Sequence, residues 1–356
     1  MPLPEVVRLT QELVRIDTSV RPDTGLKFLR GLLDRAGVEN RVVLSKSGTP
    51  VLSAEHPGRE GSPWIVLGTH LDTVPDPGGG RAQPGEIRSG KLYGRGALDM
   101  KAGLASSLLL LRDLPRDSAV RLSLRVTTDE EGDSAGAWSE VRSRGFAPDL
   151  VLVPEPSWER VALSASGRRS WEVEFRSPGG HAEGTLGSRS NPAQALGKFV
   201  ARLPPGLIVT SLSTEGGGEV TLPRVAHARV DQVFVRSSAP SEARGVLRQL
   251  AAQAAGGPLG VRPRVALTPR TTPWPDPYPA TRTRLVRRLL GAVKETLGRV
   301  ETFHEAAVGD FNAYATRAPT VIFGPSGDGV HGLGEYVRVP SVLRCHRALE
   351  RFLRSP

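Results

Sequence analysis

The sequence predicts an α/β protein: a mostly parallel sheet covered by helices, with a smaller ferredoxin-like α+β domain inserted into it. Three observations carry that prediction. Apolar, β-rich runs at 64–67, 120–127 and 149–153 each stop at polar residues, with helical patterns among them. From about residue 167 the pattern changes to the order β-α-β-β-α-β. A chain of 356 residues also exceeds one ordinary core, which points to two domains. The expected division is a principal domain made of 1–166 and 273–356, with an insertion at 167–272.

In chain order, apolar residues recur at helical spacing over 5–15 and again over 24–36, two amphipathic helices suited to covering a sheet. Short β-rich runs follow at 41–44, 51–54 and 64–67. The segment from Asp76 to Gly90, rich in Gly and Pro and containing Gly78-Gly79-Gly80, is expected to be a surface loop. A strongly apolar helix is expected at about 101–113. The strand at 120–127 runs into Asp129-Glu130-Glu131, and the strand at 149–153 into Pro154-Glu155-Pro156. In the insertion, strands are expected at 171–175, 207–213, 224–235 and 261–268, and helices at 191–203 and 241–254. The proline-rich run 269–277 reads as a stiff linker back to the first domain. A helix at about 280–298, a buried strand at 319–324, a loop carrying His331 and a terminal helix at 341–353 complete the chain.

The formal charge of +10 and pI near 10.4 raise nucleic acid as a partner. The basic residues are dispersed without a block of five, and aromatics make up only 5%, which argues against it. Attraction of anionic small substrates is the milder expectation. No apolar run approaches the roughly 20 residues that span a bilayer, so no membrane association is expected. The start of the sequence lacks a basic segment followed by an apolar one, and a single cysteine, Cys345, rules out an internal disulfide or a cysteine-type zinc site. Together these features favour the cytoplasm.

The opening stretch for chemistry is Gly68-Thr69-His70-Leu71-Asp72-Thr73-Val74-Pro75 at the end of the 64–67 run. Strand side chains alternate, so His70 and Asp72 point the same way at the strand's mouth, where α/β proteins keep their sites. Such a pair is either a capped strand end or a metal-binding His whose tautomer the Asp fixes. Asp99, Glu130, Glu131, Glu155 and His331 also fall at predicted strand or helix ends. Two imidazoles and several carboxylates without thiolate suit zinc, cobalt or manganese, and their number suits two ions sharing a bridging carboxylate.

The motifs Gly-Thr-His70-Leu-Asp72-Thr-Val-Pro, Gly-Arg-Gly-Ala-Leu-Asp99-Met-Lys-Ala-Gly, Thr-Asp-Glu130-Glu131-Gly, Pro-Glu155-Pro-Ser and His331-Gly-Leu-Gly-Glu335-Tyr-Val resemble those of the M20 metallopeptidase family. The resemblance is to its branch of acetylornithine deacetylases, succinyl-diaminopimelate desuccinylases and carboxypeptidases. It implies a catalytic domain interrupted by a lid and dimerisation domain, and two divalent ions, zinc first, with cobalt or manganese as alternatives. One ion would be held by His70, Asp99 and Glu155, the other by Asp99, Glu131 and His331. Asp72 would orient His70, and Glu130 would be the general base acting on a water between the ions. Two cations about 3.5–4 Å apart acidify such a water and stabilise a tetrahedral oxyanion, and a carboxylate outside the ligand set must then carry the proton to the departing amine. Glu335 stays open between a charge near the site and a part of it.

In the insertion, Pro178-Gly179-Gly180-His181-Ala182-Glu183 and Gly187-Ser188-Arg189-Ser190-Asn191-Pro192-Ala193 resemble the family's lid. The resemblance implies a homodimer in which His181 polarises the scissile carbonyl in the partner's site. Where the family often has Asn-Val-Ile-Pro, this chain reads Val220-Thr221-Leu222-Pro223, so Arg224, Arg229 or Arg236 is expected to hold a substrate carboxylate. Gly309-Asp310-Phe311-Asn312 resembles the Ser-Asp-x-Asn of acetyl-lysine and acetylornithine deacetylases. The expected activity is hydrolysis of the amide in an N-acyl amino acid of the acetylornithine or acetyl-lysine type, with dipeptidase or carboxypeptidase action on short peptides as the alternative.

Overall fold

The run Trp64-Ile-Val-Leu-Gly-Thr-His forms a strand, Trp64–His70, whose residues after Trp64 are all buried. A strand that is apolar on both faces belongs inside a parallel sheet covered on both sides. Here it pairs in parallel with Arg121–Thr127 on one edge and Leu150–Val153 on the other. The computed structural model describes residues 3–78, 82–183, 191–256 and 260–355. It divides into two units, Met1–Ala165 with Pro279–Pro356, and Ser166–Tyr278.

In the first unit the sheet has eight strands, in the order Asn40–Leu44, Pro50–His56, Arg121–Thr127, Trp64–His70, Leu150–Val153, Thr320–Ile322, Val161–Ala165 and Thr302–Glu305. The four central strands from Arg121–Thr127 to Thr320–Ile322 run parallel, and Asn40–Leu44 and Pro50–His56 add an antiparallel hairpin at one end. Helices Glu5–Val14, Asp23–Arg35, Arg284–Leu297 and Val339–Arg354 turn apolar stripes inward, so Leu13, Leu29, Leu289 and Phe352 share one core with Ile65, Leu122 and Leu152. The helix Ala102–Arg112 has no polar stripe because every residue from Ala102 to Leu110 is buried, as is Leu111.

Several short elements depart from the sequence reading. Val161–Ala165 and Thr302–Glu305 extend the large sheet, and Ala135–Arg142 is a helix. A small antiparallel sheet joins Gly327–Asp328, Tyr336–Arg338, Lys91–Tyr93 and Ile87–Arg88, where loops were expected over much of 76–90 and 325–334. Strands of two or three residues show no measurable alternation, and Leu92 finds its partners at Ile87 and Val337.

The second unit is a four-stranded antiparallel sheet in the order Leu207–Glu215, Val225–Phe234, Gly167–Arg176 and Arg262–Leu267. With helices Pro192–Val200 and Ala239–Ala255 it forms the ferredoxin-like arrangement around Trp171, Phe175, Phe199, Val230 and Leu247. Asn191 starts the first helix by accepting hydrogen bonds from the Ala193 and Gln194 amides. The proline-rich run stays with this unit through Tyr278, because Arg168 N and the Arg169 guanidinium donate to Pro275 O and Arg169 also pairs with Asp276. Of the glycine-rich loop, 79–81 lie outside the described residues, as do 187–190 of the second lid motif. Among the described residues, no helix is long and apolar enough to cross a membrane.

Candidate metal centre

His70 closes the Trp64–His70 strand, Glu130 and Glu131 follow Arg121–Thr127, and Glu155 follows Leu150–Val153. All four therefore emerge at the C-terminal ends of neighbouring parallel strands. Asp99 comes from the other side, at the start of the helical segment leading into Ala102–Arg112, and His331 from the loop between Gly327–Asp328 and Tyr336–Arg338. Backbone angles at Asp99 and Met100 leave the helical range, which turns the Asp99 carboxylate out of the helix.

Two clusters result. His70 Nε2 lies 3.1 Å from Asp99 Oδ1 and 3.2 Å from Glu155 Oε1. His331 Nε2 lies 3.0 Å from Glu131 Oε2 and 3.4 Å from Asp99 Oδ2. The donor atoms of each cluster fall within 4.8 Å of one another, and the two oxygens of Asp99 face different clusters. Two imidazole nitrogens and carboxylate oxygens, with one carboxylate common to both groups, are a donor set that fits two divalent ions. Glu130 belongs to neither group; its Oε2 is 4.0 Å from His70 Nε2.

Asp72 acts differently from the simplest expectation. Its backbone carbonyl, at 2.9 Å, is the closer partner of His70 Nδ1, while its carboxylate Oδ1 stands at 3.6 Å. The other carboxylate oxygen accepts the Glu131 amide at 3.1 Å, which draws it towards the acidic turn. Asp72 thus fixes Nδ1 as the donor on His70, leaves Nε2 free to ligate, and ties down the loop that carries Glu131.

Two further contacts were not legible as such. The buried Glu335 carboxylate accepts from Arg95 Nη1 at 2.7 Å and from the amides of Gly96, Leu98 and Asp99 at 3.0, 3.0 and 3.2 Å. The signal was an acidic residue in the His331 motif, without anything to tell its target. The backbone of Gly309 closes on Glu130, so that a Cβ there would run into Glu130 Oε1. Next to it the buried Asp310 accepts Thr127 Oγ1 at 2.6 Å. His181 belongs to the second unit, exposed on the Gly180–His181 strand that pairs with Thr221–Leu222. Arg224 lies two residues beyond Leu222 and packs against Gly179, whereas Arg229 and Arg236 pair with Glu172 and Glu242.

Crowding of buried acids sets the electrostatics. Burial, and then the neighbouring Asp99, push Glu155 up to about 8. Burial likewise pushes Glu130 well above the usual carboxylate range against the pull of His70, and Asp310 up to about 7. Burial opposes a charge on His70, but Glu155, Asp72 and Asp99 outweigh it and hold the ring well above the usual histidine range. Hydrogen bonds to Asp99 and Glu131 raise His331 to about 10. Burial would raise Asp99, yet His331 and His70 hold it below the usual range.

A pH dependence of the metal-stripped protein follows. Glu155 titrates at about 8 when folded and near 4.5 when free, so between those values the folded chain binds more protons than the unfolded one. Stability falls as pH rises through that window. Asp310, His70 and His331 act in the same sense, while the contribution of Asp99 is lost only at lower pH. The melting temperature of chelator-stripped protein is therefore expected to fall from about pH 5 to about pH 8, and saturating zinc to remove most of that slope. A melting temperature that climbs with pH over this range would contradict the assignment.

Comparison with known proteins gives the family and the fold. The chain is 30% identical to the succinyl-diaminopimelate desuccinylase of Cereibacter sphaeroides, over 100% of this chain and 99% of that one. A tripeptidase from Staphylococcus aureus has the same fold, with a TM-score of 0.83 at 16% identity, covering 98% of this chain and 97% of the other. The dinuclear metal-binding peptidase of the M20 family from Bacillus subtilis superimposes with a TM-score of 0.71 at 15% identity, over 98% and 96% of the two chains. Residues 66–355, which hold every residue of both clusters, match the Peptidase family M20/M25/M40. The chain belongs to that family and is a hydrolase of amide or peptide bonds.

Proposed function

We propose that this hydrolase removes the acyl group from an N-acyl amino acid, with N-acyl diamino acids of the acetylornithine, acetyl-lysine and succinyl-diaminopimelate kind as its substrate class. The observation that carries the reading is the pair of clusters sharing Asp99, with the unshared carboxylate of Glu130 beside them. His70, Asp99 and Glu155 would hold one divalent ion and Asp99, Glu131 and His331 the other, zinc in the first place and cobalt or manganese otherwise. When bound, the ions supply Lewis acidity towards the scissile carbonyl and make a water acidic enough to attack it.

The residues of the chain do the rest. Glu130 takes a proton from the attacking water and returns it to the departing amine, as a carboxylate outside both ligand groups can. Asp72 keeps His70 in the tautomer whose Nε2 faces Asp99 and Glu155. His181, contributed across a homodimer formed through the 167–272 domain, polarises the carbonyl. Arg224, two residues beyond the strand that pairs with His181, holds the substrate carboxylate, and the net charge of +10 favours the approach of anions. The relatives named succinyl-diaminopimelate desuccinylase support acyl amino acids over peptides.

A panel of acetylornithine, acetyl-lysine, succinyl-diaminopimelate and dipeptides, each assayed with zinc, cobalt and manganese, tests the proposal. At least one N-acyl diamino acid is expected to exceed every dipeptide by about tenfold or more in kcat/KM, about 1.4 kcal/mol of transition-state discrimination. Dipeptides turned over faster than every acyl amino acid would replace deacylation with peptidase action.

A further inference from the structure

We propose that Glu335, together with Arg95, is a positioning residue that assembles the Asp99–Glu131–His331 cluster by strapping the His331 loop to the Asp99 turn. The proposal rests on the two-ion reading above.

A helix begins with amide groups that have no partner inside it. Here the residue at the start is Gly96, which adopts φ 78° and has no side chain to cap anything. Glu335 supplies the missing acceptor from 239 positions further along the chain. Its Oε2 takes Gly96 N and Arg95 Nη1, and its Oε1 takes Leu98 N and Asp99 N. Placing a carboxylate at a helix start is favourable in itself. In this case it also fixes the backbone of the residue common to both clusters.

The strap has a second end. Arg95 Nη2 donates to Gly332 O at 3.0 Å, directly after His331, and Gly94 N donates to Glu335 O at 2.9 Å. His331 sits in a loop with φ 58°, and its side chain is half exposed. His70 and Glu155 need no such anchor, because they are buried at the ends of sheet strands. The cluster containing His331 therefore depends on the strap more than the cluster containing His70. A glutamine at 335 would keep the shape of the side chain but turn an NH2 group towards at least one N–H donor.

The test is metal binding, read by chelator competition with zinc and by the absorption spectrum with cobalt. Wild-type protein is expected to bind two ions. Glu335→Gln and Arg95→Met are expected to keep the tighter ion within about threefold and to weaken the other by about 10–100-fold. Arg95→Lys, which restores the charge opposite Glu335 but lacks the planar fork that reaches Gly332, is expected to fall between. Glu140→Gln breaks another ion pair, with the buried Arg125 at 2.7 Å, and controls for general loosening; it should bind both ions as the wild type does. Arg95→Met leaves the three amide contacts of Glu335 in place, so it carries the test if Glu335→Gln does not fold. Two ions bound with wild-type affinity by both variants would overturn the proposal, and so would equal weakening of both ions in variants that melt as folded proteins. Fewer than two ions on the wild type would overturn the two-ion reading itself.

Discussion

Glu130→Gln is expected to lower kcat by about 10²–10⁴-fold while the protein still binds both ions. The substitution preserves the shape of the side chain and removes its ability to accept a proton. None of the donors in the two clusters is touched, since Glu130 belongs to neither group and stands 4.0 Å from His70 Nε2. The loss amounts to about 3–5 kcal/mol of transition-state stabilisation. KM is expected to change little, because the missing interaction is made while the proton moves and not while the substrate binds. Steady-state kinetics with metal analysis on the same sample checks this. A kcat within tenfold of wild type would remove Glu130 from the proton path, and loss of an ion would place it among the ligands.

The parts of this site that sequence reveals are those set by local pattern. The β-branched run before His70, and the runs before Glu130 and Glu155, declare buried strands, and a strand end is where side chains emerge into a cleft. The order β-α-β-β-α-β of the second unit was legible for the same reason. What local pattern cannot show is which distant group answers a given one. Nothing around Glu335 says that its carboxylate caps a helix starting near Gly96, because the cap bridges 239 positions and acts on backbone amides, which have no sequence signature. Nor does the spacing of His70 and Asp72 say that the carbonyl of Asp72 would meet the ring while its carboxylate turned to the Glu131 amide. That choice is made by a turn belonging to another strand. The strands around Tyr93 and Tyr336 carry no signature in the sequence because each has too few residues for alternation to count.

Gly309 is the most demanding case, since its role lies in an atom it lacks. Gly309→Ala is expected to lower kcat about 10²-fold with ion content and melting temperature close to wild type. The backbone there is extended, with φ −169° and ψ −163°, so alanine adopts it without strain. The effect is steric: an added Cβ would overlap Glu130 Oε1 and lie 2.8 Å from Phe311 Cε1. The turn cannot easily retreat, because Asn312 Oδ1 accepts Gly309 N at 3.0 Å, Asn312 N donates to Gly309 O at 3.0 Å, and Asp310 is anchored on Thr127. The end of the Glu130 side chain is the part that moves. The fold tolerates that at small cost, but a general base displaced by about 1 Å loses about 10²-fold in rate. A double variant separates this from a general defect. If alanine at 309 acts by moving Glu130, adding it to Glu130→Gln should cost little more, because both changes remove the same function. Full multiplication of the two losses, or a Gly309→Ala enzyme with wild-type kcat, would show that the close approach of Gly309 does not seat the base.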